Sequence, residues 1–381
     1  MVGRGSLSVG TGRGLFGVIG GGSLCLLIVL SHPLLRKVSY EIFLRTHQAL
    51  AALFLYSAWR HLPSDGLVPR LYIYLSAGVF SSTLLFQAGS VLYRNRAFRH
   101  GRSRAVITQF HGAVKINIHL SKAVKVEPGQ YINLWIPSVS FWSFLQSHPF
   151  VVTSWADGRQ DTLELFVEPR KGLTRELLSH AETEGPGDAK TSRWVLFSGP
   201  HGRSAAVGDY ENVLMIADGF GIAAHLPYLK RLIHGYNARK VRARRIHLVW
   251  QLRDIEIGIA AQSLLNRALD DDTLDRGYIL RISIYLESGN VQKVSFGRRA
   301  TVYNGTACMR DILHTEVTGA DPERASKDLE RQEDMVQGEK ERTLIMVSGT
   351  EQQRDDVRSL IWGHLKNGVK YLELEYQPKA R

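Results

Sequence analysis

The stretch that most constrains the fold is Leu71–Leu92, an uncharged apolar run with the sequence LYIYLSAGVFSSTLLFQAGSVL. A helix needs about 20 apolar residues to cross the hydrocarbon core of a bilayer. The run has that length and predicts a transmembrane helix. Two further membrane helices are predicted at Leu15–Leu30 and Tyr40–His61. Leu15–Leu30 is short, and its length also suits a signal-peptide core, but no small-residue cleavage site follows it.

Positive charges flank these helices unevenly. Arg36 and Lys37 lie between the first two helices, and five arginines follow the third: Arg94, Arg96, Arg99, Arg102 and Arg104. Because loops rich in arginine and lysine stay in the cytoplasm, both segments are predicted to be cytoplasmic. Everything beyond residue 100 is then cytoplasmic too, and the chain is predicted to be an integral membrane protein.

The net charge of +12 does not indicate a nucleic-acid partner. Arginine and lysine occur in short separate clusters without interleaved aromatic residues. We therefore attribute the charge to membrane topology and to an anionic cofactor. The two cysteines, Cys25 and Cys308, lie far apart, so neither a disulfide framework nor a thiolate metal site is indicated.

Two histidines in the predicted helix Tyr40–His61 are candidate metal ligands. His47 and His61 lie fourteen residues apart, which is about 3.9 helical turns and about 21 Å, so both point to nearly the same face. Neutral imidazole is a common axial ligand of haem iron. Chance pairs at this spacing are expected in a chain with 14 histidines, but ionisable side chains inside membrane segments are usually functional.

After residue 100 the pattern changes to that of two further domains. Residues 101–205 contain six short alternating segments, AVITQF, AVKINIHL, QYINLWIP, FVVTSW, TLELFVEP and WVLFSGP, and a short helix at Thr174–His180. They predict an antiparallel β-barrel. Residues 206–381 alternate buried strands with helices, which predicts a doubly wound α/β domain with a parallel sheet. Its charged segment Glu316–Arg342 is predicted to be a mobile insertion.

Motifs typical of anion and cofactor binding occur in both domains. Thr174 is a good helix N-cap beside Arg170 and Lys171, and a helix N-terminus attracts anions. A glycine turn, AlaAspGlyPheGlyIle at 217–222, ends a buried strand, so that the backbone can approach a pyrophosphate. The segments HisProPheValValThrSer at 148–154 and GlyProHisGly at 199–202 precede it in the chain.

In this order the motifs resemble the ferric reductase and NADPH oxidase superfamily, most closely the fungal ferric-chelate reductases. The resemblance implies that FAD is bound by His148, Pro149, Phe150, Val151, Thr153 and Ser154, with Val151 replacing the usual threonine, and at its pyrophosphate by Lys171, Gly172 and Thr174. It implies a nucleotide site at Gly199, Pro200, Gly202, Gly219, Gly221 and Ile222, with Asp218 where a glycine is usual. Ser348 and Gly349 replace the family's Cys-Gly-Pro beside the nicotinamide, and they are the predicted catalytic residues.

The implied function is a ferric-chelate reductase of the plasma membrane. NADPH would reduce FAD, and electrons would pass through haem b at His47 and His61 to ferric chelates outside. Family members carry further helices with a second histidine pair, so each haem has one ligand here, and further helices or a full-length partner are expected to complete the ligation. NADPH rather than NADH is implied by the family and is favoured by the basic run Arg239–Arg245, which suits a solvated face equally well. Tyr376 is the late aromatic residue that would cover the flavin.

Two alternatives remain open from the sequence. One is a superoxide-generating NADPH oxidase, in which oxygen is the acceptor. The other is a truncated product that binds nucleotide and flavin, or a full-length partner, without moving electrons across the membrane.

Overall fold

The computed structural model describes residues 12–32, 40–63, 67–96, 101–139, 147–170, 173–183, 192–274, 279–287, 300–318, 342–362 and 368–377. The chain forms two compact units, residues 1–90 and 91–381. Three helices begin in the first unit, α1 (Gly12–Leu30), α2 (Tyr40–His61) and α3 (Leu67–Arg94).

Helices α1 and α2 pack closely because glycines on α1 face α2. A Cβ atom at Gly20 would lie 3.4 Å from Ser57 Cβ, and one at Gly17 would lie 2.8 Å from the His61 ring. Small residues of this kind let two membrane helices approach. In the described part of the chain, α1 and the Arg70–Arg94 part of α3 are long and apolar enough to cross a membrane. Helix α2 does not reach the same hydropathy, since it carries Arg45, Arg60 and both histidines.

The second unit begins with two antiparallel sheets that enclose one apolar core. Their strands are β1 (Arg104–Phe110), β2 (Ala113–Lys125), β3 (Tyr131–Trp135), β4 (His148–Val151), β5 (Arg159–Val167), β6 (Ser192–Trp194) and β7 (Leu196–His201). The strand orders are β5-β2-β1-β6 and β4-β3-β7. Alternate side chains of both sheets, such as Ile116, Ile132 and Leu163, fill the core. One helix, α4 (Leu173–Thr183), lies between β5 and β6.

Two predicted strands differ in detail from the observed ones. The segment FVVTSW was predicted as one strand, but β4 ends at Val151, and Thr153 instead bonds to the backbone of Glu164 on β5. The segment WVLFSGP is divided between β6 and β7 at Val195.

The rest of the second unit is a doubly wound α/β domain, as predicted. Its strands are β8 (Asn212–Asp218), β9 (Arg245–Leu252), β10 (Leu280–Leu286), β11 (Ala300–Asn304), β12 (Thr343–Ser348) and β13 (Val369–Glu373). They form one parallel sheet in the order β11-β10-β9-β8-β12-β13. Helices α5 (Ile222–Asn237) and α6 (Ile255–Asp271) pack on one face, and α7 (Met309–Thr318) and α8 (Glu351–Ile361) pack on the other.

The predicted insertion Glu316–Arg342 falls mostly outside the described residues. Glu316 itself lies in α7, is buried, and bonds through Oε1 to His247 Nδ1 at 2.8 Å. At the other end, the backbone N–H of Arg342 donates to Glu211 at 2.8 Å. Both ends of the segment are therefore fixed to the α/β domain.

Candidate functional site

The clearest crevice-forming position in the α/β domain is the carboxyl edge of β8 and β12. These strands are neighbours, with Ser348 opposite Ala217. The chain leaves β8 towards α5 on one face and β12 towards α8 on the other, so the order of strands reverses between them. Ligands of open α/β sheets bind at such a switch point.

Glycines bring the two turns at this edge into direct contact. A Cβ atom at Gly221 would overlap the backbone carbonyl of Ser348, and one at Gly349 would lie 2.8 Å from Asp218 Cβ. Only residues without a side chain allow the turns to approach this closely. The predicted nucleotide turn and the predicted catalytic pair are thus brought together.

The carboxylate of Asp218 connects the same two turns. Burial raises its pKa, and the neighbouring carboxylate of Glu287 raises it further, while Arg253 and the backbone N–H of Thr350 act in the opposite direction. Arg253, which follows β9 at this edge, adds a positive charge to the crevice.

Two buried polar side chains that the sequence did not single out hold the turn in place. The Trp250 indole Nε1 donates to the carbonyl of Gly219 at 2.8 Å. His225 Nε2 lies 3.0 Å from the carbonyl of Ile216, and burial lowers the pKa of this histidine to about 4. His225 is therefore neutral at pH 7 and donates from Nε2. In the sequence, Trp250 and His225 could have been noticed as side chains with a polar group inside otherwise apolar runs.

Ser348 and Ile222 are completely buried at this edge. The Ser348 hydroxyl has no hydrogen-bond partner among the described residues, although it is buried. A buried hydroxyl without a partner is costly, and an incoming polar ligand would relieve that cost. Gly349 is partly exposed at the same point.

On the barrel, most side chains of the predicted FAD motif face inwards. Phe150 is 2% exposed and belongs to the barrel core. Thr153 Oγ1 donates to the Glu164 carbonyl at 2.8 Å, and Ser154 Oγ accepts from the Glu164 N–H at 3.1 Å. These hydroxyls join the segment that follows β4 to the backbone of β5. Val151 is also buried, whereas His148 and Pro149 are partly exposed.

A charged cluster joins the end of β5 to the C-terminal part of the α/β domain. Arg170 Nη2 donates to the Tyr376 hydroxyl at 2.6 Å, and that hydroxyl donates to Glu168 at 2.8 Å. Burial and the Glu168 carboxylate raise the pKa of Tyr376 to about 12. The backbone N–H of Arg170 donates to Thr174 Oγ1 at 2.8 Å. Tyr376 thus lies beside the start of α4, while Lys171 and Gly172 lie outside the described residues.

The GlyProHisGly turn at 199–202 ends β7. Gly199 and Gly202 have φ values of +115° and +92°, which favour glycine. A Cβ atom at Gly202 would lie 3.5 Å from the ring of Tyr131. The Arg94 guanidinium donates to the Gly199 carbonyl. Pro200 and its neighbours therefore shape the packing of the barrel around β3.

The two candidate haem ligands lie on α2 of the first unit. His61 Nδ1 lies 2.8 Å from the carbonyl of Arg13 and donates to it, which leaves Nε2 with the free lone pair. Metal-binding histidines commonly donate their other ring N–H to a backbone carbonyl. His47 Nδ1 is buried without a partner among the described residues. His47 and His61 therefore remain candidate haem ligands, and the described residues contain no group of three or more His, Cys, Asp or Glu that could hold a metal ion.

The basic run Arg239–Arg245 does not lie at this crevice. It connects α5 to the start of β9, so it lies at the amino edge of the parallel sheet, opposite the glycine turn. The expectation that it supports NADPH binding is therefore not supported by its position.

Comparison with known proteins gives three matching families along the chain. The family "Ferric reductase like transmembrane component" matches residues 7–58, an "FAD-binding domain" matches 102–205, and "Ferric reductase NAD binding domain" matches 210–362. The chain is 26% identical to "Ferric/cupric reductase transmembrane component 2" of Saccharomyces cerevisiae, over 64% of this chain and 33% of that protein. It is 28% identical to "Probable cell surface ferric reductase kap2" of Aspergillus oryzae, over 61% of this chain and 31% of that protein.

The chain therefore spans about a third of the length of these two relatives. Among solved structures, "Ferredoxin reductase in carbazole 1,9a-dioxygenase" is 12% identical, with a TM-score of 0.46, and the match covers 72% of this chain and 68% of that one.

Proposed function

Since the chain carries the membrane, FAD-binding and NAD-binding regions of the ferric reductase family, we propose that it takes part in electron transfer from a dinucleotide to ferric chelates across a membrane. The observation that carries this proposal is the switch-point crevice at β8 and β12. There the glycine turn, the buried Ser348 hydroxyl and the partly exposed Gly349 meet.

In this proposal the residues of the crevice bind and orient the dinucleotide. Gly219 and Gly221 let the backbone approach the pyrophosphate, and the N-terminus of α5 favours its negative charge. The Ser348 hydroxyl and Gly349 lie where the nicotinamide would enter, and they position it. Arg253 and the backbone N–H of Thr350 offset the negative charge of Asp218 beside the phosphates.

The barrel residues hold FAD in the same proposal. His148 and Pro149 present the partly exposed edge of β4, and Thr174, Arg170 and the start of α4 provide the anion site. Tyr376 is held beside that site by its two hydrogen bonds. Bound FAD supplies the conversion of a two-electron donor into single electrons, and haem supplies single-electron conduction.

For the dinucleotide, NADPH is proposed over NADH on the basis of Arg253. This arginine follows β9 at the carboxyl edge, where a guanidinium can bind a phosphate of the adenosine ribose. The neutral variant Arg253→Gln should raise the KM for NADPH and leave that for NADH unchanged. An equal change for both dinucleotides would contradict the assignment.

For the haems, His61 and His47 are proposed as one axial ligand each, on the outer and inner side of the membrane. The lone pair on His61 Nε2 supports this role. The second ligands are proposed to come from further helices or a full-length partner. The proposed location is the plasma membrane, with residues beyond 100 in the cytoplasm and the ferric chelate as the outer substrate.

The direct test measures NAD(P)H-driven flavin reduction by the purified full chain. Gly221→Val should abolish reduction, because its side chain would overlap the Ser348 carbonyl. Gly158→Val is the matched control, since a Cβ atom at Gly158 has no atom within 4 Å. Equal rates for the two variants would contradict the proposed site.

The two alternatives give different results in the same preparation. Oxygen consumption without reduction of a ferric chelate would favour a superoxide-generating oxidase. Flavin reduction with no haem bands in the reduced-minus-oxidised spectrum would favour a fragment that binds nucleotide without transferring electrons across a membrane.

A further inference from the structure

A second pocket lies at the amino edge of the parallel sheet, opposite the crevice. Its volume is about 560 Å³, and its lining includes Arg239, Arg242, Arg244, Tyr236 and a single carboxylate, Glu211. Volumes of this order accommodate small-molecule ligands. The lining residues have a net charge of +2. Lys240 and Arg245 belong to the same basic run, Arg239–Arg245, and add two further positive charges nearby in the sequence.

The basic run is held rigidly against the sheet. The Val241 side chain fills the space beside Gly208 and Gly235, where added Cβ atoms would lie 2.8 Å and 2.5 Å from Val241 Cγ1. The backbone N–H of Arg242 donates to the Gly208 carbonyl at 2.8 Å, and that of Arg244 donates to the Glu211 carbonyl at 2.8 Å. The guanidinium groups therefore project from a fixed backbone, which lowers the entropic cost of binding.

Capping of α5 does not account for these cations. The last turn of the helix is closed by backbone bonds, from the Lys240 N–H to the Gly235 carbonyl at 2.8 Å and from the Arg239 N–H to the Tyr236 carbonyl at 2.9 Å. This pair of bonds is the Schellman motif. The carbonyls at the end of α5 are thus already bonded without any guanidinium.

Arg239 occupies the position of that motif at which glycine is usual. Its φ is +53°, in the left-handed region that costs energy for any residue with a Cβ atom. The molecule tolerates this strain at a residue whose side chain lines the pocket. An observed backbone outlier of this kind points to a function for the side chain.

Glu211 does not neutralise the pocket. One of its oxygens accepts from the backbone N–H of Arg342 at 2.8 Å, and the other lies 3.8 Å from Arg242 Nη1. Three guanidinium groups around one engaged carboxylate suit a ligand with more than one phosphate, because guanidinium forms paired hydrogen bonds with phosphate oxygens.

We propose that this pocket binds the phosphorylated headgroup of an anionic membrane lipid. A lipid source is favoured over a soluble phosphate because the same chain carries helices long and apolar enough to enter a membrane. Covalent attachment to those helices keeps the α/β domain at a high effective concentration of headgroups. Basic clusters of this size are attracted to anionic leaflets.

The test uses the full chain in neutral detergent, titrated with a short-chain bisphosphorylated phosphatidylinositol and followed by thermophoresis. Arg239→Gly and Arg242→Gln should each weaken binding about fivefold, the value expected for one basic residue at a lipid surface. The double variant Arg159→Gln, Arg310→Gln changes two exposed arginines outside the pocket and should bind like the wild type.

Arg239→Gly also separates a binding role from a structural one. Relief of the left-handed strain should raise Tm by about 2 °C while binding falls. Unchanged affinity in both pocket variants would overturn the proposal. Equally tight binding of the free inositol phosphate would overturn the lipid source.

A second measurement follows hydrogen exchange of residues 236–245 in nanodiscs. Protection should rise when the bisphosphorylated lipid is added to phosphatidylcholine. Equal protection by phosphatidylserine would overturn the headgroup pocket, because it would require only a charged surface.

Discussion

Acidification should open the glycine turn after β8, the proposed nucleotide site, through His225. This side chain lies in the first turn of α5, is fully buried, and donates to the Ile216 carbonyl on β8. Its pKa is lowered to about 4 in the folded chain, against about 6.5 in an unfolded chain. Between these values the unfolded state binds more protons, so the free energy of unfolding falls as the pH falls.

The size of the effect follows from the two pKa values. Lowering the pH from 7 to 5 should remove about 2 kcal/mol of stability, and the total should reach about 3 kcal/mol at pH 4. A loss of 2 kcal/mol corresponds to about a thirtyfold larger opening equilibrium. The effect should be localised to β8 and α5, because His225 joins these two elements.

Hydrogen exchange of the full chain in detergent can measure this opening. Peptides covering residues 212–237 would be compared at pH 7 and pH 5, after correction for the intrinsic pH dependence of exchange. His225→Gln keeps an N–H donor for the Ile216 carbonyl but does not titrate. The free energy of opening in this variant should therefore change less between pH 7 and pH 5 than in the wild type, by the amount that His225 contributes. His234→Gln changes an exposed histidine on the same helix and should behave like the wild type. If wild type and His225→Gln lose stability in parallel between pH 7 and 5, the reasoning is refuted.

Three further outcomes are expected. Glu164→Gln should lower Tm by about 2 °C, since it weakens the paired hydrogen bonds of 2.7 Å and 2.9 Å to Arg267 that join β5 to α6; an unchanged melting curve would show that solvent screens this pair completely. The phenol of Tyr376 should ionise near pH 12, so its stabilising contribution is complete below pH 10 and is lost as the pH rises towards 12. The difference between the absorbance titrations of the wild type and Tyr376→Phe measures this ionisation. Ionisation near pH 10 would contradict the buried hydrogen bonds. Gly17→Ala should separate α1 from α2 by displacing the His61 ring, whereas Gly21→Ala should have no effect because its Cβ atom would have no neighbour within 4 Å; crosslinking between the helices distinguishes the two.

The fold could be predicted where local signals determine it. The buried run at β8 followed by a glycine turn and an amphipathic helix is sufficient to predict a strand, a turn and α5. The edge strands β11 and β13 were not predicted, because short edge strands lack a continuous apolar run. Their identity depends on pairing with β10 and β12, which the sequence alone does not contain.

The site could be predicted in part, by rules of topology. Gly221 and Ser348 meet because parallel neighbouring strands place their carboxyl ends at one edge. The same rule would have placed Arg239–Arg245 at the opposite edge, since the run precedes β9. By contrast, the bonds of Thr153 and Ser154 to Glu164 depend on where the pairing of β4 with β3 ends. No local pattern specifies that point, so their inward direction required the structure.

Flavin reduction and haem ligation should be separable in this chain. The proposed dinucleotide and flavin residues all lie in residues 91–381, whereas both candidate haem ligands lie in residues 1–90. His61→Phe should therefore remove the haem bound at that residue and leave NAD(P)H-driven flavin reduction intact. Gly221→Val should abolish flavin reduction and leave the haem bound. Spectra and turnover of both variants, in a preparation that also contains the proposed second haem ligands, measure the two properties independently. Loss of flavin reduction in His61→Phe would mean that the dinucleotide and flavin site depends on the helical unit, and the assignment of separate roles would then be wrong.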